Sequence, residues 1–256
     1  MNEHSHELDI ARFRRDGYLV VRSLASSEEC DALTGVAERH LAQQLAPVEY
    51  EVDVKYPGAP TDPDGEGGRT SRRLLQAFSR HEVFRDWATN PRIGGVLRDL
   101  FGSGDVMMSQ CHHNCIMTKQ PGYSSVTLWH QDNRYWSFDE ENLISVWLAL
   151  GPETRENGCL RVIPGSHLLD LREGRFDAAR FLRPELPENK ELISQAEVVD
   201  LARGDVLFFH SRLFHAAGRN LSDLTKYSLV YTYHEAGNHP IAGTRSDRFP
   251  GVMLER

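Results

Sequence analysis

This sequence has little cysteine, no long apolar run and no excess of positive charge. Its 256 residues include only four cysteines, too few for a disulfide framework in a chain of this length. We therefore expect a reducing compartment, the cytoplasm. Cys111 and Cys115 lack a second matching pair, so two small apolar residues in a strand are a better interpretation than a zinc site.

These absences also exclude classes of partner. No apolar run approaches the ~20 residues that a membrane-spanning helix needs, and the polar segment Met1–Arg15 does not have the pattern of a signal peptide. The 29 basic residues are outnumbered by 37 acidic ones, which gives a formal net charge of −8. Nucleic acids and membrane surfaces bind basic patches, so we expect neither as a partner. We expect a monomer or a homodimer.

The first hundred residues have mainly helical patterns. A capping box of Ser26 with Glu29 opens one predicted helix, and Asn90 followed by Pro91 opens another. The segment 57–68 contains three prolines and four glycines, which predicts a loop. We interpret this loop as a lid over a site.

The pattern changes near residue 106 to short β-branched or aromatic runs separated by turn signals such as Pro164–Gly165. Strands that recur without helices between them are typical of an antiparallel barrel or a double-sheet jelly roll. We predict a single domain over residues 1–256. It is mainly β, a double-stranded β-helix (jelly-roll) barrel at about 105–236, with flanking helices and a helical N-terminal support at about 1–104.

The sharpest local feature is the sequence His130-Gln131-Asp132. In a strand, residues i and i+2 point to the same face, so an imidazole and a carboxylate could bind one metal ion. A second histidine would complete a two-histidine, one-carboxylate face, which leaves coordination positions of iron open. The distant segment Asp205–His215 offers His210 and His215, and a continuous strand would point these two to opposite faces. At most one of them is then a ligand.

The sequence resembles the phytanoyl-CoA dioxygenase family of Fe(II)/2-oxoglutarate oxygenases. The resemblance covers nearly the whole chain in the same order. The residues that carry it are Trp129–Phe138, Asn157–His167, Gly204–His210 with His215 and Asn220 after it, and the N-terminal strand segment Phe13–Val21.

The resemblance implies that His130, Asp132 and His215 bind the metal, and it leaves His210 in the core or behind the site. It implies Fe(II), 2-oxoglutarate and O2 as cofactor and cosubstrates, with ascorbate as a stimulant, and succinate and CO2 as products. Related halogenases have a small residue at the position of Asp132. Because this chain keeps the acid, hydroxylation of an unactivated C–H bond is the expected reaction.

The expected binding site for 2-oxoglutarate departs from the family. The family has an arginine eleven residues after the distal histidine, and this sequence has Lys226 there. Lysine keeps the positive charge but loses the planar fork. Ser228 follows on the same strand face, and Arg219 is a competing anchor. Asn114 and Lys119, on the preceding strand, are further candidates.

The substrate is the least determined part of the prediction. Arg134, Tyr135, Trp136 and Phe138 follow the metal motif and are expected at the mouth of the pocket, with His113 on the neighbouring strand. This amphipathic rim favours a small-molecule metabolite, since an acyl-CoA would need a basic groove. Two alternatives stay open: a non-catalytic barrel that binds a metal or senses a 2-oxo acid, and a zinc hydrolase with the same three ligands.

Overall fold

The computed structural model describes residues 3–102 and 104–255. Seven α-helices lie within them. They are α1 (Glu3–Asp16), α2 (Ser27–Ala42), α3 (Glu51–Val54), α4 (Ala77–Arg80), α5 (Glu82–Ala88), α6 (Pro91–Phe101) and α7 (Pro187–Ser194). Both predicted helix starts are present: Ser26 and Glu29 form a reciprocal capping box before α2, and the Asn90 side chain accepts from the Arg92 amide at the start of α6. No helix in these described ranges is long and apolar enough to cross a membrane.

The strands form two antiparallel sheets. They are β1 (Tyr18–Val21), β2 (Val48–Tyr50), β3 (Ser71–Leu75), β4 (Val106–Lys119), β5 (Thr127–His130), β6 (Leu143–Ala149), β7 (Leu160–Val162), β8 (Glu197–Val198), β9 (Val206–His210), β10 (His215–Ala217), β11 (Lys226–Glu235) and β12 (Val252–Met253). The large sheet has the order β1-β9-β6-β11-β4-β3-β2, with β12 beside β4, and the small sheet has the order β5-β10-β7-β8. This mainly β arrangement with flanking helices agrees with the predicted jelly roll.

The large sheet is buried on both faces, and the alternation of its side chains shows how. In β6, Val146 and Leu148 belong to the core shared with the N-terminal helices, while Trp147 belongs to the core that includes residues of the small sheet. In β11, Leu229 and Val230 divide in the same way. Because successive strand residues point to opposite faces, one set supports the helices and the other lines the interior of the barrel.

The N-terminal part is more than a helical support. It contributes β1, which pairs with β9, and β3, which pairs with β4 and carries β2 at the sheet edge. The boundary predicted near residue 104 therefore runs through one continuous sheet. The reason is that short strands such as Ser71–Leu75 carry too little alternation to be separated from a loop by sequence pattern.

The proline- and glycine-rich segment 57–68 contains neither helix nor strand. The backbone amide of Val126 donates to the Pro57 carbonyl at 2.9 Å, and Gly67, at φ +74°, lies against the Tyr123 ring with no room for a Cβ atom. The segment is thus packed on the connection between β4 and β5, close to the strand that carries His130.

Candidate metal and cosubstrate site

Three predicted ligands meet at the end of the small sheet. His130 ends β5, His215 begins β10, and the two are direct partners in the ladder. Asp132 Oδ1 lies 3.7 Å from His130 Nε2 and 3.5 Å from His215 Nε2. The potential ligand atoms all lie within 4.8 Å of one another, and all three residues are buried.

The local geometry differs from the predicted continuous strands. The strand ends at His130, and Asp132 opens a 3-10 turn, Asp132–Tyr135. A turn therefore brings the carboxylate toward the imidazole. The segment predicted as one strand over Asp205–His215 is also divided, because β9 ends at His210 and β10 begins at His215 in the other sheet. His210 instead accepts from the Arg212 amide.

The backbone fixes which nitrogen each histidine presents. Nδ1 of His130 donates to the Leu128 carbonyl at 2.8 Å, and Nδ1 of His215 donates to the Leu213 carbonyl at 3.0 Å. A bonded Nδ1–H leaves the Nε2 lone pair for a metal. Burial lowers the pKa of both histidines, so both imidazoles are neutral at physiological pH.

The carboxylate of Asp132 is held from two further sides. Ser145, on β6, donates to Oδ2 at 3.1 Å, and His113 Nε2 donates to Oδ1 at 3.1 Å. Burial alone would raise the pKa of Asp132, but His113 and His215 hold it well below its usual range. Two neutral imidazole nitrogens and one ionised carboxylate suit Fe(II), so the residues present fit the metal that the sequence predicts.

A cavity of about 740 Å³ opens above these ligands. An irregularity in the β4–β11 pairing, between Tyr231↔Asn114 and Thr232↔Ser109, leaves residues 110–113 without strand partners on β11. As a result, both His112 and His113 line the cavity. The other end of the cavity is lined by two lysines that are direct partners in the same ladder, Lys119 and Lys226.

Lys226 lies in a closed network of hydrogen bonds. Its Nζ donates to Glu153 Oε2 at 2.8 Å and to Ser228 Oγ at 3.2 Å. Ser228 Oγ and Trp147 Nε1 both donate to Glu153 Oε1, at 2.6 and 2.9 Å. The side chains of Lys226 and Glu153 are 2% and 0% exposed, so the ion pair is shielded from water.

Lys119 has a different environment. Its Nζ donates to the Ser125 carbonyl at 2.9 Å and to the Gly218 carbonyl at 2.6 Å. Burial, followed by the charges of Lys226 and Arg72, lowers the pKa of Lys119 to about 7, against the opposing effect of Glu51 and Glu153. Lys119 is therefore a cation that titrates near neutral pH.

Two other candidate anchors for 2-oxoglutarate bind elsewhere. The Asn114 side chain accepts from the Phe78 amide and donates to the Gln110 carbonyl. Arg219 donates to the carbonyls of Ser124 and Gly122. Among the described residues, neither is part of the cavity lining. The structure therefore places both side chains against backbone groups outside the cavity, and spacing along a strand does not tell which hydrogen bonds a side chain makes.

The predicted rim is largely in place. Arg134, Tyr135 and Trp136 line the cavity, and the Arg134 guanidinium stacks 3.8 Å from the centre of the Phe181 ring and 4.3 Å from that of Tyr135. Trp136 stacks on His112 with ring centres 4.9 Å apart. Phe138 instead packs against His112 and His234 and, among the described residues, is not part of the cavity lining.

The structure also brings in residues that are not among the predicted site residues. Phe181 comes from the segment between β7 and β8, and it contacts the His130 ring edge-on. Arg72 is buried, donates to Glu49 and Thr127, and lies over the Tyr56 ring. Glu153, which lies behind the cavity lining against Lys226, is the most consequential omission. A glutamate after Gly151 and Pro152 has the pattern of a surface turn, and no local signal indicates its burial.

Comparison with known proteins identifies the family. The family model described as phytanoyl-CoA dioxygenase (PhyH) matches residues 13–227. Phytanoyl-CoA dioxygenase domain-containing protein 1 of Danio rerio is 25% identical over 266 residues, covering 88% of this chain and 88% of the relative. Ectoine dioxygenase of Stutzerimonas stutzeri is 25% identical over 248 residues, covering 90% of this chain and 76% of the relative.

Solved structures share the fold. The epimerase SnoN, in complex with Fe3+, alpha ketoglutarate and nogalamycin RO, superposes with a TM-score of 0.75 at 23% identity, covering 100% of this chain and 97% of SnoN. The jelly roll, the family and the class of enzyme predicted from the sequence are thus confirmed. The chain belongs to the phytanoyl-CoA dioxygenase family and is an oxygenase that depends on iron, 2-oxoglutarate and O2.

Proposed function

We propose that this enzyme hydroxylates an unactivated C–H bond of a small molecule, with iron held by His130, Asp132 and His215. The observation that carries the proposal is the convergence of these three side chains, with both Nε2 atoms facing one carboxylate oxygen, at the base of a deep cavity. Iron(II) in such a site supplies the oxidising chemistry that couples O2 to the decarboxylation of 2-oxoglutarate to succinate and CO2.

The chain's own residues would orient the metal ligands, bind the cosubstrate and exclude water. The carbonyls of Leu128 and Leu213 keep the two histidines in the ligating tautomer. Ser145 and His113 hold the carboxylate of Asp132 in the position where it would bind the metal. The opposite end of the cavity, which Lys226 and Lys119 line, would receive the distal carboxylate of 2-oxoglutarate.

The cavity wall limits the class of substrate. A volume of about 740 Å³ lies within the range of pockets for small organic ligands. Trp136, Phe181, Tyr135 and Tyr56 offer ring faces and edges, and Arg134 adds a cation stacked among them. The SnoN structure holds a small molecule, nogalamycin RO, and the ectoine dioxygenases are named for a small molecule. We infer a free ring-bearing metabolite with a polar or anionic group, and a cytoplasmic enzyme that works as a monomer or homodimer.

The proposal is tested with protein loaded with Fe(II) under anaerobic conditions. 2-Oxoglutarate, oxygen-18 gas and a panel of ring-bearing metabolites are added, and both succinate and product mass are measured. We expect one panel member to raise succinate release and to yield a product that carries one oxygen-18 atom. A product with rearranged bonds and no added oxygen would contradict hydroxylation. Tight metal binding without succinate from any member would support a 2-oxo-acid-binding barrel.

A further inference from the structure

Glu153 lies behind Lys226 at the cosubstrate end of the cavity, and among the described residues it is not itself part of the cavity lining. It is a fully buried carboxylate, and its oxygens accept from all three polar groups that surround it there, those of Lys226, Ser228 and Trp147. These donors would otherwise be available for the distal carboxylate of a dicarboxylic cosubstrate. The chain thus supplies an internal carboxylate to its own anchoring lysine.

The charges at this end therefore nearly cancel before any ligand binds. Lys226 and Glu153 form a buried ion pair. A second carboxylate beside Glu153 would have to share one ammonium group with it, and two carboxylates that share a site repel each other unless a further positive charge is present.

Lys119 is the group that can provide this charge. It lies opposite Lys226 on the neighbouring strand, lines the same cavity, and donates to two neutral carbonyls and, within the described residues, to no carboxylate. The charged groups that face it are Lys226 and Arg72, which disfavour its protonation, and Glu51 and Glu153, which favour it. Its pKa near 7 means that it gains or loses a proton at little cost.

We propose that Glu153 neutralises Lys226 and that Lys119 receives the distal carboxylate of 2-oxoglutarate, taking up one proton from solvent as the cosubstrate binds. The step is balanced, since a neutral amine plus a proton becomes the ammonium that pairs with the incoming carboxylate. This inference rests on the proposed function, because it concerns how the same site holds its cosubstrate.

The charge of Lys119 before 2-oxoglutarate binds determines how the affinity changes with pH. Below pH 7, Lys119 is already charged, and binding requires no proton. Above pH 7, binding must draw a proton from solution, so the affinity falls by up to about tenfold for each pH unit. Between pH 6 and pH 8 we expect the dissociation constant of 2-oxoglutarate to rise by about tenfold.

The experiment is calorimetric titration of metal-loaded, anaerobic protein with 2-oxoglutarate at pH 8, in two buffers with different ionisation enthalpies. The wild type should take up close to one proton per cosubstrate. 2-Oxopentanoate, which lacks the distal carboxylate, should bind with no proton uptake. Lys119→Met should weaken 2-oxoglutarate binding by more than about tenfold and abolish the proton uptake.

A charge-balanced pair of substitutions distinguishes the role of Lys119 in binding 2-oxoglutarate from that of Lys226. Lys226→Met alone leaves Glu153 unpaired and should bind 2-oxoglutarate poorly. The double variant Glu153→Gln with Lys226→Met removes a neutral pair, so it should restore binding and keep the proton uptake. Thermal melts establish that each variant is folded. If Lys226→Met fails to fold, the double variant and Lys119→Met still show which lysine binds the distal carboxylate.

Two results would overturn the inference. One is unchanged affinity and proton uptake in Lys119→Met. The other is loss of binding in the folded double variant, which would make Lys226 the anchor despite its partner. Failure of the proposed function has a separate signature, since metal-loaded wild-type protein would then bind no 2-oxoglutarate at either pH.

Discussion

The two ends of the cavity are built in different ways. At the metal end, His130 and Asp132 are two residues apart, and the carbonyls that orient both histidines lie two residues before them. At the lysine end, Lys226 and Ser228 reach Glu153 across 73 and 75 residues of sequence. The metal end thus combines a local pair, His130 and Asp132, with His215 from the cross-strand partner β10, whereas Glu153 at the lysine end comes from a distant loop that no motif indicates.

The difference is also electrostatic. The metal end keeps two neutral imidazoles and one ionised carboxylate ready for a dication. The lysine end keeps its fixed charges paired, with Lys119 as the adjustable cation. We conclude that the metal end follows the family pattern, while this chain has changed the charge arrangement that meets the cosubstrate.

The largest predicted effect is the difference in iron binding between substitutions at His215 and at His210. His215→Asn removes a ligand, so Fe(II) binding and turnover should fall by more than about 100-fold, beyond the usual cost of losing a residue that only orients a ligand. His210→Asn is the matched control, because His210 lies five residues away in the other sheet. Metal content after gel filtration measures both. Equal losses of iron in the two variants would contradict the assignment of His215, and not His210, as a ligand.

A smaller effect is expected for the hydroxyl behind the carboxylate. Ser145→Ala deletes the donor to Asp132 Oδ2 and leaves all three ligands in place. Loss of such a hydrogen bond typically lowers metal affinity or activity by about 10- to 100-fold. A competition titration with a metal chelator measures the affinity. Wild-type affinity in the folded variant would show that the turn alone positions Asp132.

The smallest effect concerns stability. Burial, together with the nearby His167 and Arg212, lowers the pKa of His210 to about 3, far below its value of about 6.5 in an unfolded chain. The folded state therefore favours the neutral ring, and this contribution is lost as the pH falls below about 6.5. Between pH 7 and pH 5, urea unfolding should show a loss of stability about 1–2 kcal/mol smaller in His210→Asn than in the wild type. An identical loss would show that folding does not lower the pKa of His210.

The contrast between the two ends also explains what the sequence could predict. The resemblance to the family predicts all three ligands, His130, Asp132 and His215, because each lies in one of its motifs. Spacing alone indicates His130 and Asp132 and leaves His210 and His215 as alternatives, since β10 meets β5 only across a long stretch of chain. The strand interpretation predicted the convergence of His130 and Asp132 for the wrong geometric reason, since a 3-10 turn brings them together.

The lysine end could be predicted only in part. Lys226 and Lys119 were recognised as candidates, and both line the cavity. Glu153 was missed because its burial depends on β6 and β11 lying side by side and on Trp147 pointing inward. Spacing and charge also make Arg219 and Asn114 candidates for binding 2-oxoglutarate. Neither property reveals that their side chains form hydrogen bonds with backbone groups instead.

The central claim is that these residues form an iron centre that consumes 2-oxoglutarate, and succinate formation tests it most directly. Protein loaded anaerobically with Fe(II) is mixed with 2-oxoglutarate and O2, and succinate is quantified for the wild type and for Asp132→Ala, whose fold is verified by circular dichroism. We predict succinate from the wild type and none above background from the variant. Equal succinate from both would contradict the assignment of the metal centre.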